Sequence, residues 1–252
     1  MITSLQIVPL VKKYKINEAT IYREYLQLVF LNHLYSFPGS NNIFFKGGTA
    51  IHLLLKAPRF SEDLDFTVTL PIDEFEKHID TVFKSLSIEE NISFKPRVTK
   101  IGKRYLLTAT LPVSGLKSFI NLDFSFRENA LDPQKMVLLT DFPVLITAPI
   151  PHLSGTEIFA EKIRAIVSRR KGRDIYDLWY LHTQGFVSNP EFIAKKLDYY
   201  QEKYDKALIL ERIRSFPQDI FINDLRPFIC DPDRPKLGQL FSYILEYLAK
   251  VL

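Results

Sequence analysis

RFSEDLDF, residues 59–66, sets Asp63 and Asp65 one residue apart in a stretch with the look of a β-strand, where aspartate is depleted. Side chains on a strand alternate, so Asp63, Asp65 and Thr67 share one face while Leu64, Phe66 and Val68 share the other. One face packs and the other presents acids. A strand with its polar face to water accounts for the polarity, but not for two carboxylates that repel each other.

SFINLDFSF (118–126) repeats the arrangement, with Ile120, Leu122, Phe124 and Phe126 on one face and Asn121, Asp123, Ser125 and Arg127 on the other. Three aspartates on neighbouring strands raise one another's proton affinity unless a cation lies between them. Hard carboxylate oxygens suit Mg²⁺, or Mn²⁺, carrying a nucleotide's phosphates. Asp63, Asp65 and Asp123 are therefore candidate metal ligands, and Asp123 is also a candidate general base.

Upstream, NIFF (42–45) stops at Lys46-Gly47-Gly48-Thr49, and AIHLLL follows as a helical turn or two. A strand, glycine turn and helix in this order put backbone N–H groups and a hydroxyl at a helix N-terminus, where phosphate is favoured. A plain tight turn with a helix cap needs the same residues. The GxxxxGK[ST] loop is absent, which excludes a P-loop NTPase. What singles the turn out is its place ahead of the acids, where a substrate phosphate would bridge turn and metal.

The remaining pattern supplies a frame. Apolar spacing predicts a helix over 17–34 capped by Asn17 and another over 73–86. Strand-like runs at 92–100, 104–113 and 118–126, separated by breaks at 101–103 and 114–115, predict an antiparallel meander. VLLTDFPVLITAP (137–149) reads as an irregular edge because of Pro143. From Ser154 the pattern is helical, over 154–170, 173–185, 189–204, 206–216 and 236–252. This segregation predicts an α+β fold: a mixed or antiparallel sheet with helices over 1–150, then a helical half over 151–252.

Composition narrows the class. The 252 residues are 46% hydrophobic, enough for a real core, and 33 basic against 29 acidic residues give +4, a mild bias toward anionic partners. A single cysteine, Cys230, excludes a disulfide framework and a multi-cysteine metal site. The N-terminus lacks the order of a signal peptide and no apolar run approaches a membrane span, so a cytoplasmic protein with no membrane partner is expected.

On the helix expected at 154–170, Phe159, Ile163, Ile166 and Val167 form an apolar stripe, with Glu157, Glu161 and Arg164 on a solvated side. Lys162 falls at the edge of the stripe, where a lysine commonly snorkels over core surface. Asp174 is placed to cap the next helix, with Asp177 completing a capping-box spacing. Arg164, Arg169, Arg170, Lys171 and Arg173 form a basic run, a solvated face or a track for a polynucleotide backbone. Trp179, in line with Ile175 and Leu178, reads as core.

FFKGGTAIHLLL followed by RFSEDLDF resembles the Gly-Gly/Ser…Asp-x-Asp signature of the polymerase-β-type nucleotidyltransferase fold, in particular the AbiEii/AbiGii toxin family of type IV toxin–antitoxin and abortive-infection systems. EKIRAIVSRRKGRDIYDLWYL (161–181) resembles that family's later motif, a helix lysine followed by an Arg-Asp-x-x-Asp-Leu helix. The resemblance implies transfer of an NMP from an NTP to an acceptor hydroxyl, such as the tRNA 3′ end, and a cognate antitoxin. It implies that Gly48 and Thr49, with Lys46 and Gly47 of the same turn, hold the triphosphate, that Asp63 and Asp65 bind metal, and that Asp123 is the third acid.

The same resemblance implies that Lys162 neutralises phosphate, and that Asp174 and Asp177 organise base or acceptor. An RNA acceptor would meet Arg169, Arg170, Lys171 and Arg173. Ser61 would touch the γ-phosphate, and its own phosphorylation beside Asp63 would repel the substrate. Two other readings stay open. One is a phosphotransferase moving the γ-phosphate from the same site; the other is a non-catalytic RNA-binding module built on the basic run.

Overall fold

The computed structural model describes residues 2–99, 101–111, 115–187 and 189–252. The chain forms two compact units, one of Met1–Leu54 with Phe60–Leu153 and one of Leu55–Arg59 with Ser154–Leu252.

The first unit carries helices α1 (Ser4–Tyr14), α2 (Glu18–Ser36), α3 (Gly47–Leu53) and α4 (Ile72–Glu89). Its strands are β1 (Ile43–Lys46), β2 (Leu64–Val68), β3 (Ile92–Arg97), β4 (Lys103–Thr110), β5 (Lys117–Ser125), β6 (Pro133–Met136) and β7 (Ile150–Leu153), in the order β3-β4-β5-β2-β1-β7-β6. The meander β3-β4-β5 is antiparallel, but β5 pairs with β2, and β1 with β7, in parallel, so the sheet is mixed.

Alternation along the central strands builds the core. Phe45, Phe66 and Phe124 are buried on register-matched positions of β1, β2 and β5, with Phe66 and Phe124 stacked at 4.8 Å. Phe30 of α2 and Phe75 of α4 pack on these rings at 6.2 and 4.8 Å. Each such fully buried side chain stabilises by roughly 1.5–3 kcal/mol. Asn17 caps α2 as its spacing implies, accepting from the Thr20 N–H at 2.9 Å.

Three expectations change here. The stretch 137–149 holds no strand; β6 and β7 flank it instead. All four residues of β7 are buried, so Ile150–Leu153 lacks the alternation that marks a strand in sequence. Helix α1, with Pro9 inside it, was not expected at all. The meander strands stop at Arg97 and Thr110; Lys100 and the expected break at Ser114 lie outside the described residues.

The second unit is helical: α5 (Gly155–Ser168), α6 (Gly172–Thr183), α7 (Pro190–Asp198), α8 (Lys206–Arg214), α9 (Gln218–Leu225) and α10 (Leu237–Val251). Ser154, Asn189 and Asp205 cap α5, α7 and α8 through their side chains. A Cβ on Gly172 would lie 2.7 Å from the Phe221 Cα, so only glycine lets α6 start this close to α9. Helix α9 was not expected.

The solvated side assigned to α5 is also corrected. Glu157 and Glu161 are buried, and the fully buried ammonium of Lys196 on α7 meets them at 2.8 and 3.1 Å. Helix α7 covers that face of α5 and brings its own cation, a pairing that polarity along one helix does not reveal. Among the described residues, no helix is long and apolar enough to cross a membrane.

Candidate active site

Strand register in the first unit gathers the acids. Asp65 on β2 lies opposite Asp123 on parallel β5 and opposite Lys46 on antiparallel β1. Asp63, just ahead of β2, accepts from the Asn121 amide of β5 at 3.0 Å. Arg104, opposite Asp123 on β4, donates from Nε to the Asp123 carboxylate. That hydrogen bond, then the charges of Asp123, Asp63 and Asp65, hold the guanidinium above its ordinary pKa despite burial.

Asp123 shows the strain of the cluster. Burial pushes its carboxyl above the usual range, Arg104 pulls it back without cancelling the rise, and the charge of Asp63 adds to it.

The glycine turn meets this cluster directly. Gly47 has φ +78°, and a Cβ on it would overlap the Asp65 carboxylate and stand 3.0 Å from the Asp65 Cβ. The position thus demands glycine for backbone conformation and for close approach. Thr49 is fully buried and donates its hydroxyl to the backbone carbonyl of Asp63, while Gln27 of α2 donates to the carbonyls of Ser61 and Glu62 at 3.1 and 2.9 Å. The segment leading into β2 is therefore held by side chains that its own pattern does not announce.

The other turn residues sit close by. Lys46 is buried with its ammonium 3.5 Å from Glu128, whose carboxylate is buried too. Gly48 and Ser61 are half-buried. Among the described residues no three acid, histidine or cysteine side chains already stand as a closed ion site. As donors, Asp63 and Asp65 fit a hard divalent ion, and Asp123 fits once Arg104 releases it.

The later motif forms a buried ionic knot within the second unit. Lys162 Nζ lies 2.9 Å from Asp174 and 2.7 Å from Asp177. Arg59 donates from Nε and Nη2 to both Asp177 oxygens at 2.6 and 2.5 Å, and Arg169 grips Asp174 the same way at 2.8 and 3.0 Å. Burial alone would lower the pKa of Lys162, yet the two aspartates outweigh it and hold the ammonium above its ordinary value. Burial alone would raise Asp174, but Lys162 and Arg169 hold it well below the usual carboxylate range.

This corrects two readings. The N-cap of α6 is Lys171, and Asp174 lies inside the first turn with its carboxylate spent on cations rather than on the helix end. Lys162 does not snorkel: it is only 6% exposed and doubly paired. Nor is the basic run one solvated stripe. Arg164 stacks on Tyr200, Arg173 on Phe228, and Arg170 donates to the Ser215 carbonyl at 3.2 Å. Trp179 is half-buried, edge-on to Tyr176 and Tyr243, while Ile175 and Leu178 fill the core.

The family described as nucleotidyl transferase AbiEii toxin, type IV TA system, matches residues 29–232. The chain belongs to the AbiEii family. It is a nucleotidyltransferase of the toxin–antitoxin class, for which the family implies an NTP substrate and an antitoxin partner. No curated protein sequence matches it. MenT4, a nucleotidyltransferase toxin from Mycobacterium tuberculosis, is 18% identical with a TM-score of 0.60, over 90% of this chain and 84% of that one. A putative nucleotidyltransferase from H. pylori is 20% identical with a TM-score of 0.52, over 94% and 99%. At such identities the likeness concerns the fold.

Within that family frame, Arg59 and Arg104 are the residues sequence reasoning passed over. Arg104 had a signal available, since it faces Asp123 in the meander register. Arg59 had none beyond its place at the head of the motif.

Proposed function

We propose that this AbiEii protein transfers an NMP from an NTP to an acceptor hydroxyl of RNA, the tRNA 3′ end, using Mg²⁺, and that it works in the cytoplasm restrained by a cognate antitoxin. The observation that carries this reading is the register of Asp65 against Asp123, with Asp63 one strand step away and Gly47 packed on Asp65. Asp63 and Asp65 would hold the ion. When bound, it supplies charge neutralisation for the triphosphate and the departing pyrophosphate.

The acceptor oxygen bonds to the α-phosphorus, the bond from that phosphorus to the bridging oxygen breaks, and pyrophosphate leaves with the electron pair. The acceptor proton would pass to Asp123, which stands opposite Asp65 in the strand register. Gly47 and Gly48 would line the triphosphate side with Lys46 and Ser61, while the fully buried Thr49 would hold the Asp63 backbone beside them. Lys162 would neutralise phosphate only by giving up part of its pairing with Asp174 and Asp177, which hold its buried ammonium. Arg169, Arg170, Lys171 and Arg173 serve the acceptor.

The test uses purified protein, Mg²⁺, α-labelled NTPs and total RNA, followed by sequencing of RNA 3′ ends. Label on tRNA that disappears in Asp63→Ala and Asp123→Ala supports the reading. No transfer, with growth inhibition persisting in Asp63→Ala, would sink it. Transfer of a γ-label instead would make the protein a phosphotransferase.

A further inference from the structure

The second unit contains a cavity of about 350 Å³ between the end of α5, residues 169–171, the start of α6 and α8. That is within the range of small-ligand sites. Ile166, Ile175 and Leu208 line it with aliphatic surface, and the edge of the largely buried Phe216 ring adds aromatic surface. Its rim is basic, with Arg170, Lys171 and Arg212 joining the exposed side of Arg169, against a single acid, Glu211.

Like charges are not gathered around an apolar floor without cost. Arg169 has Asp174 as counter-ion, but among the described residues Arg170, Lys171 and Arg212 form no ion pair. Two of them are nevertheless held in place. Arg170 is fixed by the Ser215 carbonyl and stands 6.0 Å from the Phe216 ring, and Arg212 reaches the Ile166 carbonyl at 3.5 Å. Backbone carbonyls anchor these guanidiniums without neutralising them, which leaves their charge for an anion.

A bare anion would satisfy the rim but waste the floor. A flat, weakly polar ring beside Phe216 with a phosphate at the rim uses both, since rings stack on aromatic side chains and phosphate pairs with arginine in a fork. We propose that this cavity binds one phosphorylated nucleoside unit. It rests on the reading of the chain as a nucleotidyltransferase acting on RNA, and it adds Leu208, Arg212 and Phe216 to the residues that meet nucleotide. The unit belongs either to a free mononucleotide or to an unpaired nucleotide of the acceptor RNA.

Binding is measured on full-length Asp63→Ala protein without divalent ion, so that the triphosphate site does not contribute. The probes are each of the four nucleoside monophosphates, a labelled five-nucleotide single-stranded RNA, and inorganic phosphate. Arg212→Gln and Phe216→Leu, checked for wild-type melting, should each weaken at least one nucleotide probe about ten-fold. Arg212→Gln should also shallow the salt dependence by about one charge. Loss confined to the RNA names the acceptor as the source, and loss of monophosphate binding names a free nucleotide.

Variants that bind every probe like the parent, or inorganic phosphate that competes as well as a nucleotide, would overturn the proposal. Its fate separates from that of the catalytic reading. Nucleotide binding that depends on Arg212 in a protein with no transferase activity keeps the cavity and discards the reaction. Robust tRNA labelling unaffected by these variants, without the binding losses, does the reverse.

Discussion

Arg59 closes on Asp177 with both arms of its guanidinium, at 2.6 and 2.5 Å, and both side chains are buried. The contact joins residues 118 positions apart and ties the short segment Leu55–Arg59 into the helical unit, where the Tyr180 hydroxyl also holds the Leu55 carbonyl at 2.7 Å. Burial would strip the proton from a lone arginine more easily, but Asp177 outweighs that and keeps Arg59 charged.

Breaking this pair should therefore be costly, with a loss that is not additive between the two residues because Lys162 shares Asp177. Arg59→Met is expected to lose about 3–5 kcal/mol in urea unfolding, and Arg59→Lys to lose part of that because an ammonium cannot make the fork. The double variant Arg59→Met/Asp177→Leu should recover only part of the loss, because it also takes from Lys162 its 2.7 Å partner. Additive losses would show that the two residues act independently.

Acid should weaken the knot at a pH set by Asp174. Its carboxyl is held well below the usual range by Lys162 and Arg169. The stability it contributes is thus complete above the unfolded value of about 3.9 and is lost as pH falls through the lower folded value. Urea midpoints of wild type and Asp174→Asn should differ by a constant amount from pH 7 to about pH 5 and converge below about pH 4. A gap that closes between pH 7 and 5 would contradict the pairing.

Gly47→Ala should disable the site while leaving most of the fold. An alanine there must take φ near +78° and displace the Asp65 carboxylate, a strain of order 1–3 kcal/mol. The expected result is a melting loss of a few degrees with transfer reduced about 100-fold or more, since misplacing a reacting group by 1 Å costs that much. Unchanged turnover would mean that Asp65 need not sit where Gly47 lets it.

These contacts mark the limit of what the sequence makes legible. The acid faces of β2 and β5 were readable because half-buried strands alternate, and Phe66 and Phe124 confirm the packed side. Strand β7 was not readable, because a fully buried strand has no alternation to detect. Glu157 and Glu161 look solvated until Lys196 arrives from another helix, and Asp174 looks like a cap until Lys162 and Arg169 claim it. Local periodicity reports polarity. It does not report a partner brought in from another element, and Arg59 and Arg104 are both paired that way.

Arg104 offers the sharpest test of how the acids are used. In the structure its guanidinium engages the Asp123 carboxylate on which a divalent ion would also draw. With the Arg104 side chain nearly half exposed, the pair is worth at most about 1 kcal/mol. An ion that recruits Asp123 must displace Arg104 and overcome its repulsion, and both effects vanish in Arg104→Gln. The half-saturating Mg²⁺ concentration for transfer should then fall by about two- to five-fold, measured at saturating NTP. A rise in the NTP KM with no change in the metal requirement would instead place Arg104 on the triphosphate, and no change in either would remove it from the reaction.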